Sequence, residues 1–139
     1  MTTHAQLFVN LPVQDLNRSV AFFTQLGYSF NPQFTDENAT CMLLGENLFA
    51  MLLVRPFFQT FTQKELIDPQ RQVQTLVALS MASREEVDAL ADKAVAAGAT
   101  GHAPKDYGFM YQRSYDDLDG NTWEIFYMDA NAAPDEALG

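Results

Sequence analysis

Cysteine is nearly absent from this 139-residue chain: Cys41 stands alone, so neither an internal disulfide nor a cysteine metal cluster can be built, and a reducing compartment fits. Positive charge is scarce too. Eight Lys plus Arg face 18 Asp plus Glu, a formal charge of -10, and such a surface repels phosphate backbones and anionic lipid. Nucleic acid and membrane surfaces are therefore excluded as partners. No apolar run reaches the roughly 18 residues of a membrane span, and the opening MTTHAQLFVNLPV has no basic leader. A cytoplasmic protein is expected. What is plentiful is hydrophobic residue, 47% of the chain, enough for one compact domain or two half-size modules sharing a core. A chain of this size folds without a metal or disulfide, so any metal would be functional.

Leu7, Val9, Leu11 and Val13 alternate with Phe8, Asn10 and Pro12, the period-two pattern of a strand. Asp15 can cap a helix whose apolar positions Leu16, Val20, Phe23 and Leu26 recur at helical spacing until Gly27. The same grammar returns. Thr75 to Met81 is strand-like, Ser83 with Glu86 makes a capping box, and Val87, Leu90, Ala94 and Ala97 form a stripe ending at Gly98. Phe8 falls on Leu76, Val9 on Val77, Leu11 on Leu79 and Asp15 on Ser83, a constant offset of 68 that an internal duplication explains.

Strand candidates follow each helix: Tyr28 to Phe34, Thr40 to Leu44 and Leu48 to Val54, then Tyr111 to Tyr115 and Thr122 to Met128. Gly45-Glu46-Asn47 and Asp119-Gly120-Asn121 supply hairpin turns. The expected organisation is module one at 5–55, a linker at 56–73 with a short helix around Gln63 to Ile67, module two at 74–129, and a frayed tail at 130–139. The fold class is α+β: two tandem βαβββ modules forming a cupped mixed sheet around a cleft, the default place for a ligand.

The segments FVNLPVQDLNRSVAFFTQLGYSF (8–30) and DDLDGNTWEIFYMD (116–129), in this duplicated setting, resemble the vicinal oxygen chelate superfamily, which groups glyoxalase I, bleomycin and fosfomycin resistance proteins and extradiol dioxygenases. FNPQFTDENA, QKELIDP, SREEVDALADKAVAAGA and DYGFMYQRSYDDLDGNTWE resemble the subfamily labelled predicted lactoylglutathione lyase. The resemblance implies a homodimer. It also implies metal ligands, His, Glu or Gln, at symmetric positions of the two modules. Glu124, four residues after Gly120, matches one such position. The others fall on Phe8, Leu76 and a residue near Met51. Phe and Leu cannot coordinate a metal, and a Met thioether is too soft for the ions concerned, so no metal and no other cofactor is expected.

Two readings stand for Glu124. If its strand face points into a pocket with Phe8, Met51 and Leu76, the carboxylate is desolvated and suits a general base or a hydrogen-bond acceptor. Otherwise it is an inherited carboxylate paired with a neighbour such as Arg113. Asn10, on the face of Phe8, either orients a ligand or satisfies main chain. Tyr107, Tyr111, Arg113 and Asp116 gather phenols, a cation and a carboxylate at the expected rim; Arg113 either receives an anionic group or makes a salt bridge. His4 and His102 read as surface residues, and Cys41 as a small buried hydrophobe. Phe57, Phe58 and Phe61 either cap the cup or cover a partner subunit.

The first functional reading is a metal-free protein binding a small organic molecule in a largely apolar cleft, contacted by Phe8, Asn10, Met51, Leu76, Tyr107, Tyr111, Arg113 and Glu124. The second is a lyase-like or dioxygenase-like enzyme using Glu124, as the remaining ligand of a rearranged metal site or as a metal-free base. The third is an interaction module whose pocket has filled with side chains.

Overall fold

The alternation of Leu7, Val9, Leu11 and Val13 is realised as strand β1 (Leu7–Val13), and Asp15 caps helix α1 (Leu16–Gln25) by accepting from the Arg18 N–H at 3.2 Å. The computed structural model describes residues 1–129 and 131, so the tail expected at 130–139 lies, Asn131 apart, outside the described residues. The chain divides into two compact units, Met1–Ile67 and Asp68–Gly139. None of its described helices is long and apolar enough to cross a membrane.

Module one continues with β2 (Ser29–Asn31), β3 (Ala39–Gly45) and β4 (Leu48–Val54), in the order β1-β4-β3-β2. β1 and β4 run parallel, while the other pairs are antiparallel. Parallel pairing of the first and last strands requires a crossover, which α1 begins. One face of this sheet is sealed: Thr40, Met42, Ala50 and Leu52 have no exposed surface, and α1 buries Leu16, Phe22 and Phe23. The other carries Phe8, Asn10 and Pro12 of β1, Phe49, Met51 and Leu53 of β4, and Cys41 and Leu43 of β3, aligned by register.

Module two repeats the plan with β5 (Val77–Ser80), α3 (Arg84–Ala96), β8 (Met110–Asp116) and β9 (Thr122–Met128), in the order β5-β9-β8, again with the first and last strands parallel. The edge strand that corresponds to β2 is split in two, β6 (Thr100–Gly101) and β7 (Lys105–Asp106), both pairing with β8. Ser83 caps α3 by accepting from the Glu86 N–H at 3.1 Å, and the Glu86 carboxylate reaches back to the Ala82 N–H at 3.1 Å. The helix side is filled by Val77, Val87, Ala91, Ala94, Tyr115, Trp123 and Ile125.

The hairpin between β8 and β9 is organised by one carboxylate. Asp117 Oδ1 accepts the N–H groups of Asp119, Gly120 and Asn121 at 3.0, 3.1 and 3.0 Å, and its Oδ2 accepts the buried Trp123 Nε1–H at 2.9 Å. Gly120 adopts a φ of 101°, and a Cβ there would stand 2.6 Å from the Pro69 carbonyl oxygen, so no other residue fits.

Three sequence expectations are corrected. The linker helix lies at Arg55–Phe58 (α2), continuing as a 3-10 turn over Gln59–Phe61, and not at Gln63 to Ile67. Pro56 sits in its first turn, where no N–H is needed, and Gln59 Nε2 binds the carbonyls of Thr62 and Lys64, which a helix over 63–67 would have used. The strand expected from Tyr28 to Phe34 stops at Asn31, because Pro32 opens a 3-10 turn capped by the Asn31 side chain. The strand expected from Thr75 to Met81 shrinks to Val77–Ser80.

Candidate functional site

Glu124 lies on the face of β9 turned away from α3, together with Thr122, Phe126 and Met128. Register places it between Ala78 of β5 and Ser114 of β8. It is partly buried, and its Oε2 accepts from Gln112 Nε2 at 3.1 Å. The same face of β8 supplies Met110, Gln112, Ser114 and Asp116, and Lys105 stands beside Gln112 at the outer edge. The result is a polar centre of a carboxylate, an amide and hydroxyls, flanked by Phe126, Met110 and Met128.

Tyr111 and Arg113 do not join Glu124. In register with Tyr127 and Ile125, they point to the opposite face and are held by α3. The Tyr111 hydroxyl donates to Asp88 Oδ1 at 2.6 Å, while Arg113 donates to Asp88 at 2.9 Å and to Asp92 at 3.1 Å. Burial works against the Arg113 charge, but these bonds outweigh it and hold the guanidinium's pKa up. The bond from Tyr111, followed by that from Arg113, holds the Asp88 carboxyl below its usual range. Arg113 is thus the structural ion pair of the two readings weighed for it. Glu124 takes its hydrogen bond from Gln112, which spacing along the chain had not singled out.

Tyr107, 53% exposed, sits at the tip between β7 and β8, its ring centroid 6.2 Å from that of Phe109. The tip is clamped by Arg84, which bonds both Asp106 oxygens at 2.9 and 3.1 Å and the Gly108 carbonyl at 3.0 Å, holding the Asp106 pKa down at about 2. His102 is at the surface, as expected, and its ring also contacts Asp116. Leu76 is exposed and directly precedes β5.

In module one, Phe8 is stacked on Phe49 with centroids 4.5 Å apart, and Asn10 stands opposite Met51 in the β1–β4 register. Cys41 is buried and its thiol pKa is pushed up by that burial. Phe57 and Phe58 are partly buried, and Phe61 is exposed with its ring edge-on to Phe57. A cavity of about 460 Å³ opens at the start of β1, lined by His4, Ala5, Gln6, Leu7, Asn47 and Leu48, with none of the expected ligand contacts in its wall.

The registers also settle which residues of the two modules correspond. Met51 faces Asn10 as Glu124 faces Ala78, and Asn10 and Ala78 are 68 residues apart, so Met51 and Glu124 are equivalent. At the positions where the resemblance implies ligands, module one carries the ring of Phe8 and the thioether of Met51, and module two carries Leu76 and the single carboxylate of Glu124. That donor set does not fit the metal the resemblance implies. Among the described residues, no group of three or more His, Cys, Asp or Glu is placed to hold an ion.

These modules define the fold of the glyoxalase/bleomycin resistance/dioxygenase proteins. A family model described as bleomycin resistance protein-like N-terminal matches residues 6–45. A hypothetical protein from S. aureus is 27% identical, covering 91% of this chain and 95% of its own, with a TM-score of 0.76. A glyoxalase/bleomycin resistance protein/dioxygenase family enzyme from Burkholderia phytofirmans PsJN is 21% identical over 87% of this chain and 96% of its own, TM-score 0.73. A bleomycin resistance determinant encoded on the transposon Tn5 is 19% identical over 88% and 97%, TM-score 0.64. No curated protein sequence matches the chain.

Proposed function

We propose that this chain is a member of the glyoxalase/bleomycin resistance/dioxygenase superfamily that binds a small organic molecule without a metal, using the strand face of module two around Glu124. The observation that carries this reading is the contrast between the retained carboxylate and its replaced counterparts. Glu124 keeps one oxygen on Gln112, while the corresponding position in module one is Met51, beside the Phe8–Phe49 stack. A carboxylate and amide fix orientation, and Phe126, Met110 and Met128 offer apolar contact. On this reading Tyr107 is a further contact, and the protein is a cytoplasmic homodimer whose charge keeps nucleic acid and anionic membranes away. A lactoylglutathione lyase-like or dioxygenase-like activity has less support, because such chemistry leans on a metal to polarise the substrate and the donor set here does not fit one.

The test has two arms. Elemental analysis of the purified chain should find Zn, Ni, Mn and Fe far below one per chain. A fragment library screened by protein NMR should move the resonances of Glu124, Gln112 and Ser114, with Glu124→Gln weakening those hits. Near-stoichiometric metal, or hits that ignore this face, overturns the reading.

A further inference from the structure

Module two carries a second constellation, built around His102 and separate from the contacts of Glu124. His102 follows β6, and its backbone N–H donates to the Ser114 carbonyl at 3.0 Å, which already pins the segment to β8. Its ring Nε2 also lies 3.0 Å from Asp116 Oδ1, and that same oxygen accepts the Thr122 hydroxyl at 2.7 Å. A carboxylate oxygen accepts, so Nε2 carries a ring proton, and in the neutral imidazole Nδ1 is the acceptor. The His102 side chain is 44% exposed to solvent. A base whose tautomer is fixed by a carboxylate, itself oriented by a hydroxyl, is the base-and-orienter part of a hydrolytic triad.

We propose that His102 is a general base that activates water toward small carboxylic esters, with Asp116 and Thr122 as its positioning residues. Nδ1 takes a proton from water as the water oxygen bonds to the ester carbonyl carbon. The adduct collapses by cleaving the carbon bond to the leaving oxygen, and the leaving group takes the proton back from Nδ1. Ester and water become acid and alcohol, with no cofactor. Asp116 stays a hydrogen-bond acceptor throughout and keeps the ring in one tautomer. Thr122 and Asp116 share a sheet face with Glu124, which is two residues along β9 from Thr122, and the activity is assayed independently of ligand binding there.

The chain holds only two histidines, so exposed His4 is the internal control. The full chain is assayed with p-nitrophenyl acetate at neutral pH, with the folded fraction of every variant fixed by circular dichroism. His102→Gln should lose about tenfold or more of the protein-dependent rate, the lower reach of general-base catalysis, while His4→Gln keeps it. Asp116→Asn, which can donate to Nε2 and so flips the tautomer, should lower the rate per folded molecule by about tenfold, and Asp116→Glu should restore part of it. A wild-type rate in His102→Gln, or equal losses in both histidine variants, overturns the base. An unaltered rate per folded molecule in Asp116→Asn overturns the dyad, and with it the proposal.

Discussion

The two modules share a plan and differ in chemistry, and the difference shows on one face of each sheet. Both begin with a strand, cap their helix with a side-chain oxygen at positions 68 residues apart, and pair first and last strands in parallel. On the face away from α1, module one sets Phe8, Phe49, Met51 and Leu43; away from α3, module two sets Gln112, Ser114, Asp116 and Glu124. Helix-side residues such as Ala50, Leu52, Trp123 and Ile125 have no exposed surface, and any change there is felt by close-packed neighbours. The opposite face is turned away from α1 and α3, so it can trade a carboxylate for a thioether and keep the topology.

The turns closing the two last hairpins should separate the modules most sharply. Asp117→Ala removes the acceptor for three backbone N–H groups and Trp123 Nε1 and should cost about 3 kcal/mol or more, whereas Glu46→Ala in the corresponding exposed turn of module one should stay within about 0.5 kcal/mol. Urea titration checks both.

Nearly as large an effect comes from pH. Burial, reinforced by the charge of Asp119, raises the Asp117 pKa to about 6 against the hydrogen bonds it accepts. The folded chain then keeps a proton that the unfolded chain releases from about pH 4. Stability from this group is complete below that pH and falls as pH rises to about 6, by roughly 3 kcal/mol at about 1.4 kcal/mol per pH unit. Asp117→Asn should flatten that slope in a pH series of thermal melts.

The caps should behave alike in the two modules: Asp15→Ala and Ser83→Ala should each cost about 1 kcal/mol in urea melts. A clear inequality between them would show that the duplication no longer governs local stability. The smallest expected change is Phe8→Ala, about 1 kcal/mol or less, because the ring stacks on Phe49 yet is 43% exposed.

The caps and the β8–β9 hairpin were legible because they are local: an oxygen ahead of an apolar stripe, and a glycine between alternating runs. Period two correctly placed Glu124 with Thr122, Phe126 and Met128. It could not supply the register of β8 against β9, and a slip of one residue exchanges faces. Ser114, not Arg113, stands opposite Glu124, which is why Arg113 and Tyr111 belong to α3 and Gln112 to the carboxylate. The linker helix was missed because a side-chain amide, Gln59, competes for the downstream carbonyls. The split into β6 and β7 left no apolar pattern, since all four residues are exposed.

The tight seat of Gly120 under Pro69 bears on where an ancestral half of this protein would have begun. Residues 68–72 fold back on themselves, with Arg71 and Gln72 N–H groups bonded to the Asp68 carbonyl, and Gln70 reaches the Leu118 carbonyl. The segment is therefore the plug of its own hairpin and not slack between repeats. A free-standing second half would have to be severed before Asp68; severed at the start of its first strand, it would leave the Asp119-Gly120-Asn121 corner without its lid.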